Sequence, residues 1–256
     1  MIRSIPLADQ LIQELATAIS AGDIANYDGR LPSETELSQK YGVSRSTVRE
    51  VLARLESAGV VVRRRGIGTF ISEPLRNQPD MIWGWLDQAP AFIDLIAQAG
   101  YESRDEVLHV EVRPAGEEVG EPLDIPAEES IVAFEKRFWA DDNPIIYSWT
   151  AVAEKLIDCG DGDLLDAELY RRSIYQFLRS YCRREVSHQT SEVHAIEAGD
   201  EMAQYLACKA GAPLLHVAEI GYAEEGIPLF YATHFFRGDR VSFRQIRIPT
   251  FTIEPV

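Results

Sequence analysis

Along residues 6–21, PLADQLIQELATAISA, apolar side chains fall at Leu7, Leu11, Leu15 and Ile19, with Ile12 widening the stripe. That four-residue recurrence predicts an amphipathic helix. Pro6 suits its first turn and Gly22 its end. NYDGR (26–30) reads as a turn. A second helix is predicted from LPSETELSQKYG, where Ser33 and Glu36 have the S-x-x-E spacing of a capping box and Gly42 closes the run. Only Val43 then precedes Ser44, a second good N-cap. From there Val48, Val51, Leu52 and Leu55 make another helical stripe, ended by Ala58-Gly59. Two helices joined by so short a turn have the spacing of a helix-turn-helix. The following VVVRRRGIGTFI fits a hairpin, with Gly66 and Gly68 supplying the backbone freedom its tip requires.

Residues 72–80, SEPLRNQPD, are polar with two prolines and predict a linker. After a helix at 91–99 the period changes from helical to strand-like. Strands are predicted at 107–113, 130–140, 144–152, 184–196, 214–224, 227–236 and 241–248, and short helices at 173–182 and 200–208. Strands that follow one another across turns such as EEGIP and RGDR argue for a largely antiparallel α+β domain. The expected organisation is therefore α+β in two domains: 1–72, a linker at 73–90, and 91–256.

Charge separates the same two parts. The 256-residue chain carries −16 overall, yet residues 1–75 hold 9 basic and 9 acidic groups, so the excess lies wholly beyond them. Within 40–70 the balance reverses to 7 basic against 2 acidic. A charge cluster alone is most often a solvated face, but here it coincides with the third helix and the hairpin. That helix must pack its Val48/Leu52/Leu55 face inward, which turns Arg45, Ser46, Thr47 and Arg49 outward near its N-terminus. Hydroxyls and amides at a helix start hold phosphate, and an arginine can grip O6 and N7 of guanine with two hydrogen bonds. Behind the helix, Arg63, Arg64 and Arg65 precede a glycine tip able to approach a backbone or minor groove. Together these point to double-stranded DNA, bound with marked salt dependence.

The segment LPSETELSQKYGVSRSTVREVLARLESAGVVVRRRGIGTFI resembles the winged helix-turn-helix of GntR-type bacterial transcription regulators, through its L-P-S-E start, G-V-S-R-x-T-V-R-E and R-x-G-x-G-T-F wing. The resemblance implies operator contacts from Ser44, Arg45, Ser46, Thr47 and Arg49, from the wing around Gly66 and Gly68, and from the second helix start at Ser33 and Thr35. Thr35 stands where many members carry an arginine that touches DNA, a departure from the family's pattern at that contact.

Residues 210–244, AGAPLLHVAEIGYAEEGIPLFYATHFFRGDRVSFR, with SIVAFEKRFWADDNPIIY and SIYQFLRSY upstream, resemble the effector domain of the HutC branch, the UbiC-transcription-regulator-associated domain. This implies a chorismate-lyase-like antiparallel sheet with flanking helices, a bound small-molecule effector, and a homodimer acting as a repressor on a palindromic operator. The positions that bind sugar phosphates in such proteins correspond here to Lys136, Phe138, Ser148, Phe230 and Phe236, with Arg104 or Asp105 replacing small hydroxyl residues. One cation is kept, while an arginine has become Phe138 and two glutamates have become Ser148 and Phe230. This predicts a planar or aromatic metabolite with at most one anionic group, near Lys136. The three phenylalanines also read as ordinary core residues, and Arg237-Gly-Asp239-Arg240 reads as a salt-bridged turn.

No nucleophile elbow, H-E-x-x-H, P-loop or dinucleotide fingerprint occurs, so neither enzyme activity nor a cofactor is expected. His188, Glu192 and His194 alternate on a predicted strand and could approach a metal, although alternating polar residues more often mark a solvent face. Two alternatives stay open: a catalytic, lyase-like second domain, and a constitutive DNA-binding protein whose second domain only dimerises. The lack of a secretory apolar core or a membrane-length apolar run, with three scattered cysteines, predicts a cytoplasmic protein.

Overall fold

The computed structural model describes residues 7–20, 24, 29–57, 59–72, 81–85, 90–160 and 162–245. Pro6, Gly22, Ala58, most of the NYDGR turn, the 73–80 linker and the last residues of the strand predicted at 241–248 lie outside them. By contact the chain divides into two units, Met1–Pro79 with Trp83–Ala89 and Phe243–Val256, and Asp80–Ile82 with Pro90–Ser242.

In the first unit the three predicted helices form: α1 (Leu7–Ser20), α2 (Glu34–Tyr41) and α3 (Arg45–Ser57). The capping box closes at α2, where Ser33 Oγ accepts from the Glu36 amide at 3.3 Å and Glu36 Oε2 accepts from the Ser33 amide at 2.7 Å. Gly42 ends α2 at φ 65, a left-handed conformation that costs a glycine little. Leu11, Ile12, Leu15 and Ile19 of α1 meet Leu37 of α2 and Val48, Val51, Leu52 and Leu55 of α3 in one apolar core. Each such side chain contributes roughly 1.5–3 kcal/mol by leaving water. The hairpin β1 (Val61–Arg64) and β2 (Gly68–Ile71) follows. One feature escaped the periodicity: Arg30 bridges Phe70, and the Leu31 amide donates to Thr69 O at 2.8 Å, so the chain before α2 adds a short third edge to the hairpin.

The 73–90 segment, predicted as linker, contains a strand, β3 (Ile82–Trp85). Its apolar Ile82 is buried, and the Ile82 amide donates to Arg240 O at 2.8 Å.

The second unit is built on a six-stranded antiparallel sheet. Helix α4 (Phe92–Gln98) precedes β4 (Ser103–Pro114); α5 (Gly116–Leu123) leads to β5 (Ser130–Ala140) and β6 (Asn143–Ala153). A 3-10 turn at Ala167–Tyr170, α6 (Ile174–Phe177) and a π turn at Leu178–Cys182 precede β7 (His188–Glu197). Then come α7 (Asp200–Tyr205), β8 (Pro213–Tyr222), β9 (Pro228–Arg237) and β10 (Val241–Arg244). The order across the sheet is β4-β5-β6-β9-β8-β7. One face packs Val132, Phe134, Phe230 and Ala232 on Tyr170, Phe177 and Leu178. The other packs Ile131, Ala133 and Ala151 on Val119 and Leu123 of α5, and Tyr147 and Leu214 on Ala203 and Leu206 beside α7. Buried on both faces, β6 reads as a mostly apolar run in sequence, whereas β5 is interrupted by Glu135, Lys136 and Arg137.

Two local differences from expectation have physical causes. Helix α5 contains two glycines and Pro122, which masked it in sequence; Gly120 packs so close to Ile125 O that an added Cβ would lie 2.8 Å away. The single helix predicted at 173–182 instead breaks into α6 and the π turn, ending where Arg183 turns left-handed at φ 52.

Candidate nucleic-acid interface and effector site

At the start of α3 the Ser44 hydroxyl accepts from the Thr47 amide at 3.1 Å and lies 2.7 and 2.8 Å from the hydroxyls of Ser46 and Thr47. Ser44 is thus the cap of α3 as well as a candidate contact. Arg45, Ser46 and Arg49 are exposed and Thr47 is half-buried. Arg49 donates to Glu34 of α2, with Nη2 at 2.9 Å and Nε at 3.2 Å from Oε2. The hydrogen bond from Arg49 holds the Glu34 carboxyl below its usual range and raises Arg49 in turn. In the hairpin, Arg63 Nη2 donates to Arg49 O at 3.0 Å and its amide donates to Glu56 Oε1 at 3.2 Å, so Arg63 ties the wing to α3. Arg64 lies over the Phe70 ring at 4.8 Å, and Arg64, Arg65 and Gly66 are exposed. Gly66 has φ 75. At Gly68 (φ 143) a Cβ would stand 2.8 Å from Arg30 Nε, so the close approach there serves the fold. Ser33 is exposed but engaged with Glu36, and Thr35 is half-buried in the first turn of α2.

In the second unit, a row of polar side chains crosses the sheet face beneath α4 and α6. Lys136 on β5 is only 4 % exposed; its Nζ stands 2.5 Å from Asp105 Oδ2 and donates to Arg172 O at 3.2 Å. Burial pushes the Lys136 ammonium below its ordinary pKa, and the Asp105 carboxylate opposes that shift. Ser148 on β6 is directly across from Lys136. Its Oγ lies 2.9 Å from His234 Nδ1, and His234 Nε2 lies 3.2 Å from Glu219 Oε2. Glu219 also accepts from Gln189 at 3.2 Å and Ser191 at 2.9 Å, and Tyr175 Oη donates to Gln189 at 3.1 Å. Burial acts to raise the Glu219 pKa, but the hydrogen bonds from His234, Ser191 and Gln189 outweigh it and hold the carboxyl below its usual range. Burial also pushes the Tyr175 phenol up to about 12, so it stays a donor. Phe92 of α4 closes the row edge-on, its ring centroid 5.2 Å from Phe138, 4.8 Å from His234 and 5.4 Å from Phe236.

The tertiary structure therefore gathers Asp105, Lys136, Phe138, Ser148 and Phe236 into one region. Arg104 faces the other way, stacked 3.8 Å over Trp139. Phe230 lies in the apolar cluster with Phe134, Tyr170 and Phe177, against Gly221. Arg237 and Asp239 form the expected salt bridge, at 2.7 Å. Among the described residues no group of three or more His, Cys, Asp or Glu side chains is placed to hold a metal ion.

Residues 7–71 match the family described as bacterial regulatory proteins, gntR family, and residues 98–242 match the UTRA domain. The chain belongs to the GntR family of bacterial regulatory proteins. It is a DNA-binding transcription regulator with a UTRA effector domain. It is similar to the uncharacterized HTH-type transcriptional regulator YurK of Bacillus subtilis, 26% identical over 240 residues that cover 94% of this chain and 95% of that protein. It is likewise similar to the HTH-type transcriptional repressor NagR of Bacillus subtilis, 28% identical over 239 residues covering 93% of each. The crystal structure of PhnF from Mycobacterium smegmatis has the same fold, with a TM-score of 0.59 at 19% identity over 93% of this chain and 98% of that one.

In this GntR-family regulator the residues that sequence reasoning passed over are His234, Glu219, Gln189, Ser191, Tyr175 and Phe92. His234 carried a signal: it is a polar residue in phase with Phe230, Ala232 and Phe236 on a buried strand face. Glu219 was silent, because its partners come from β7 and β9 through tertiary register alone.

Proposed function

We propose that the protein is a cytoplasmic transcriptional repressor that binds a palindromic operator as a homodimer and lets go when a small metabolite occupies its second domain. Residues 1–72 act as the DNA-binding domain, 73–90 as the link, and 91–256 as the effector and dimerisation domain. The reading is carried by the start of α3, which presents Arg45, Ser46 and Arg49 outward from a capped helix with Arg64 and Arg65 of the wing in the same domain. Relatives named as repressors support the direction of control. Among the described residues no helix is long and apolar enough to cross a membrane.

The effector chemistry follows from the polar row. Lys136 already faces Asp105, so a phosphate would have to compete with a carboxylate for this buried cation. Phe92, Phe138 and Phe236 offer ring edges, while Ser148 and His234 offer a donor and an acceptor. A planar or aromatic metabolite with at most one anionic group fits this set. The protein should bind DNA from its own upstream region more tightly than random DNA, in a salt-sensitive manner, and such a metabolite should both raise its melting temperature and release the DNA. Equal affinity for both DNAs would overturn the regulator reading; stabilisation by hexosamine phosphates alone would overturn the effector class.

A catalytic second domain draws on one arrangement, the order Ser148–His234–Glu219, which matches nucleophile, base and orienting carboxylate. Ser148 is 5 % exposed in the middle of a strand, whereas a nucleophile needs an open approach, so binding without turnover is the better reading. Hydrolysis of an activated ester that H234A abolishes would reverse that choice.

A further inference from the structure

The Arg49 guanidinium is held before any DNA arrives. Its Nε and Nη2 donate to Oε2 of Glu34 at 3.2 and 2.9 Å, and Nε also lies 3.4 Å from Oε1. Glu34 is the first residue of α2 and Arg49 lies in the second turn of α3, so the pair spans the two helices. Stability is a weak reason for it. The two side chains keep 65% and 34% of their surface, and an ion pair so exposed adds little to a fold. A carboxylate among candidate DNA contacts also opposes the approach of a polyanion.

What the pair does fix is direction. A guanidinium presents two edges with parallel N–H bonds: a side edge from Nε and Nη2, and an end edge from Nη1 and Nη2. Glu34 takes the side edge. Among the described residues the end edge has no partner, and two parallel donors are what O6 and N7 of guanine accept. An arginine without such a brace can turn either edge to a phosphate. From the other side, Arg63 Nη2 donates to the Arg49 carbonyl at 3.0 Å, so the wing touches the same turn of α3.

We propose that Glu34 is a positioning residue for base reading: it occupies the side edge of Arg49 so that the end edge meets one guanine of the operator. This rests on the reading of α3 as the helix that enters the major groove. The carboxylate also offsets the charge of Arg49, so the contact depends more on the matching base and less on phosphate.

The test is selection from a random duplex library by the full chain, its R49A, E34A and E34Q variants, followed by titration of the selected and a random duplex at several salt concentrations. R49A should lose preference at one guanine position. E34A should lose about tenfold in discrimination at that same position. It should also bind random duplex more tightly, with a salt slope steeper by about 1. E34Q keeps an acceptor oxygen but no charge, so it should show the steeper slope and retain more of the discrimination than E34A. Melting temperature should stay nearly constant throughout. The proposal is overturned if E34A selects as the parent does, if it changes a position that R49A leaves alone, or if R49A weakens all duplexes alike. A parent chain that enriches no sequence overturns the reading of α3 itself.

Discussion

The two domains keep their polar chemistry in opposite places. In the winged domain the candidate contacts Arg45, Ser46, Arg49, Arg64 and Arg65 stand in solvent over a core of Leu, Ile and Val. In the effector domain Lys136, Ser148, Thr150 and His234 are buried inside the sheet layer. The contrast matches what the two proposed ligands require. DNA is a large polyanion that must be met at a surface, where each arginine adds affinity and little fold stability. A small metabolite is held by enclosure, so its partners must be buried, and buried polar groups must first satisfy one another. The first domain can therefore lose a contact and keep its fold, while the second couples recognition to stability.

Substitutions can break that comparison. The largest effect is expected at Lys136: K136M strands Asp105 in a buried site and should cost about 3–5 kcal/mol in denaturant unfolding, and adding D105N should recover most of it. If K136M is neutral, the effector domain is not stabilised from its polar row. R45A should weaken specific operator binding by about 1–3 kcal/mol while leaving the melting temperature unchanged, as read by DNA titration beside a thermal scan. A fall in melting temperature would place Arg45 in the fold instead. S44A removes a cap and should cost about 1 kcal/mol of stability, with any DNA effect on top of it.

The smallest effect concerns acid. The Glu219 carboxyl is held below its usual range, so its share of stability is present above the pKa of an unfolded glutamate and is lost as pH falls through the lower, folded value. E219Q should flatten the acid limb of the stability curve and leave its neutral part less changed; an identical acid limb in E219Q would sink this account.

The helices of the winged domain were legible because their signals are local. Ser33 caps Glu36 three residues on, Ser44 caps Thr47 three residues on, and the stripe through Val48, Leu52 and Leu55 repeats within one helix. Helix α5 was illegible for the converse reason: its glycines and Pro122 argue against helix, and packing of Val119 and Leu123 on the sheet overrides them. The effector region was legible in part. Lys136, Phe138 and Ser148 stood out, but Arg104 and Asp105 are neighbours in sequence and face opposite ways on β4, and only pairing decides which one meets Lys136.

By itself the sequence determined the three capped helices, the wing, the strand-rich second domain and the family to which they belong, because capping, periodicity and turn chemistry act between residues a few positions apart. Only the tertiary structure decided the polar row. Ser148 and His234 are 86 residues apart in the chain and 2.9 Å apart in space, brought together by the register of β6 against β9. Strand register is a property of the whole sheet, set by how its two faces are covered, and no short stretch of the chain contains it.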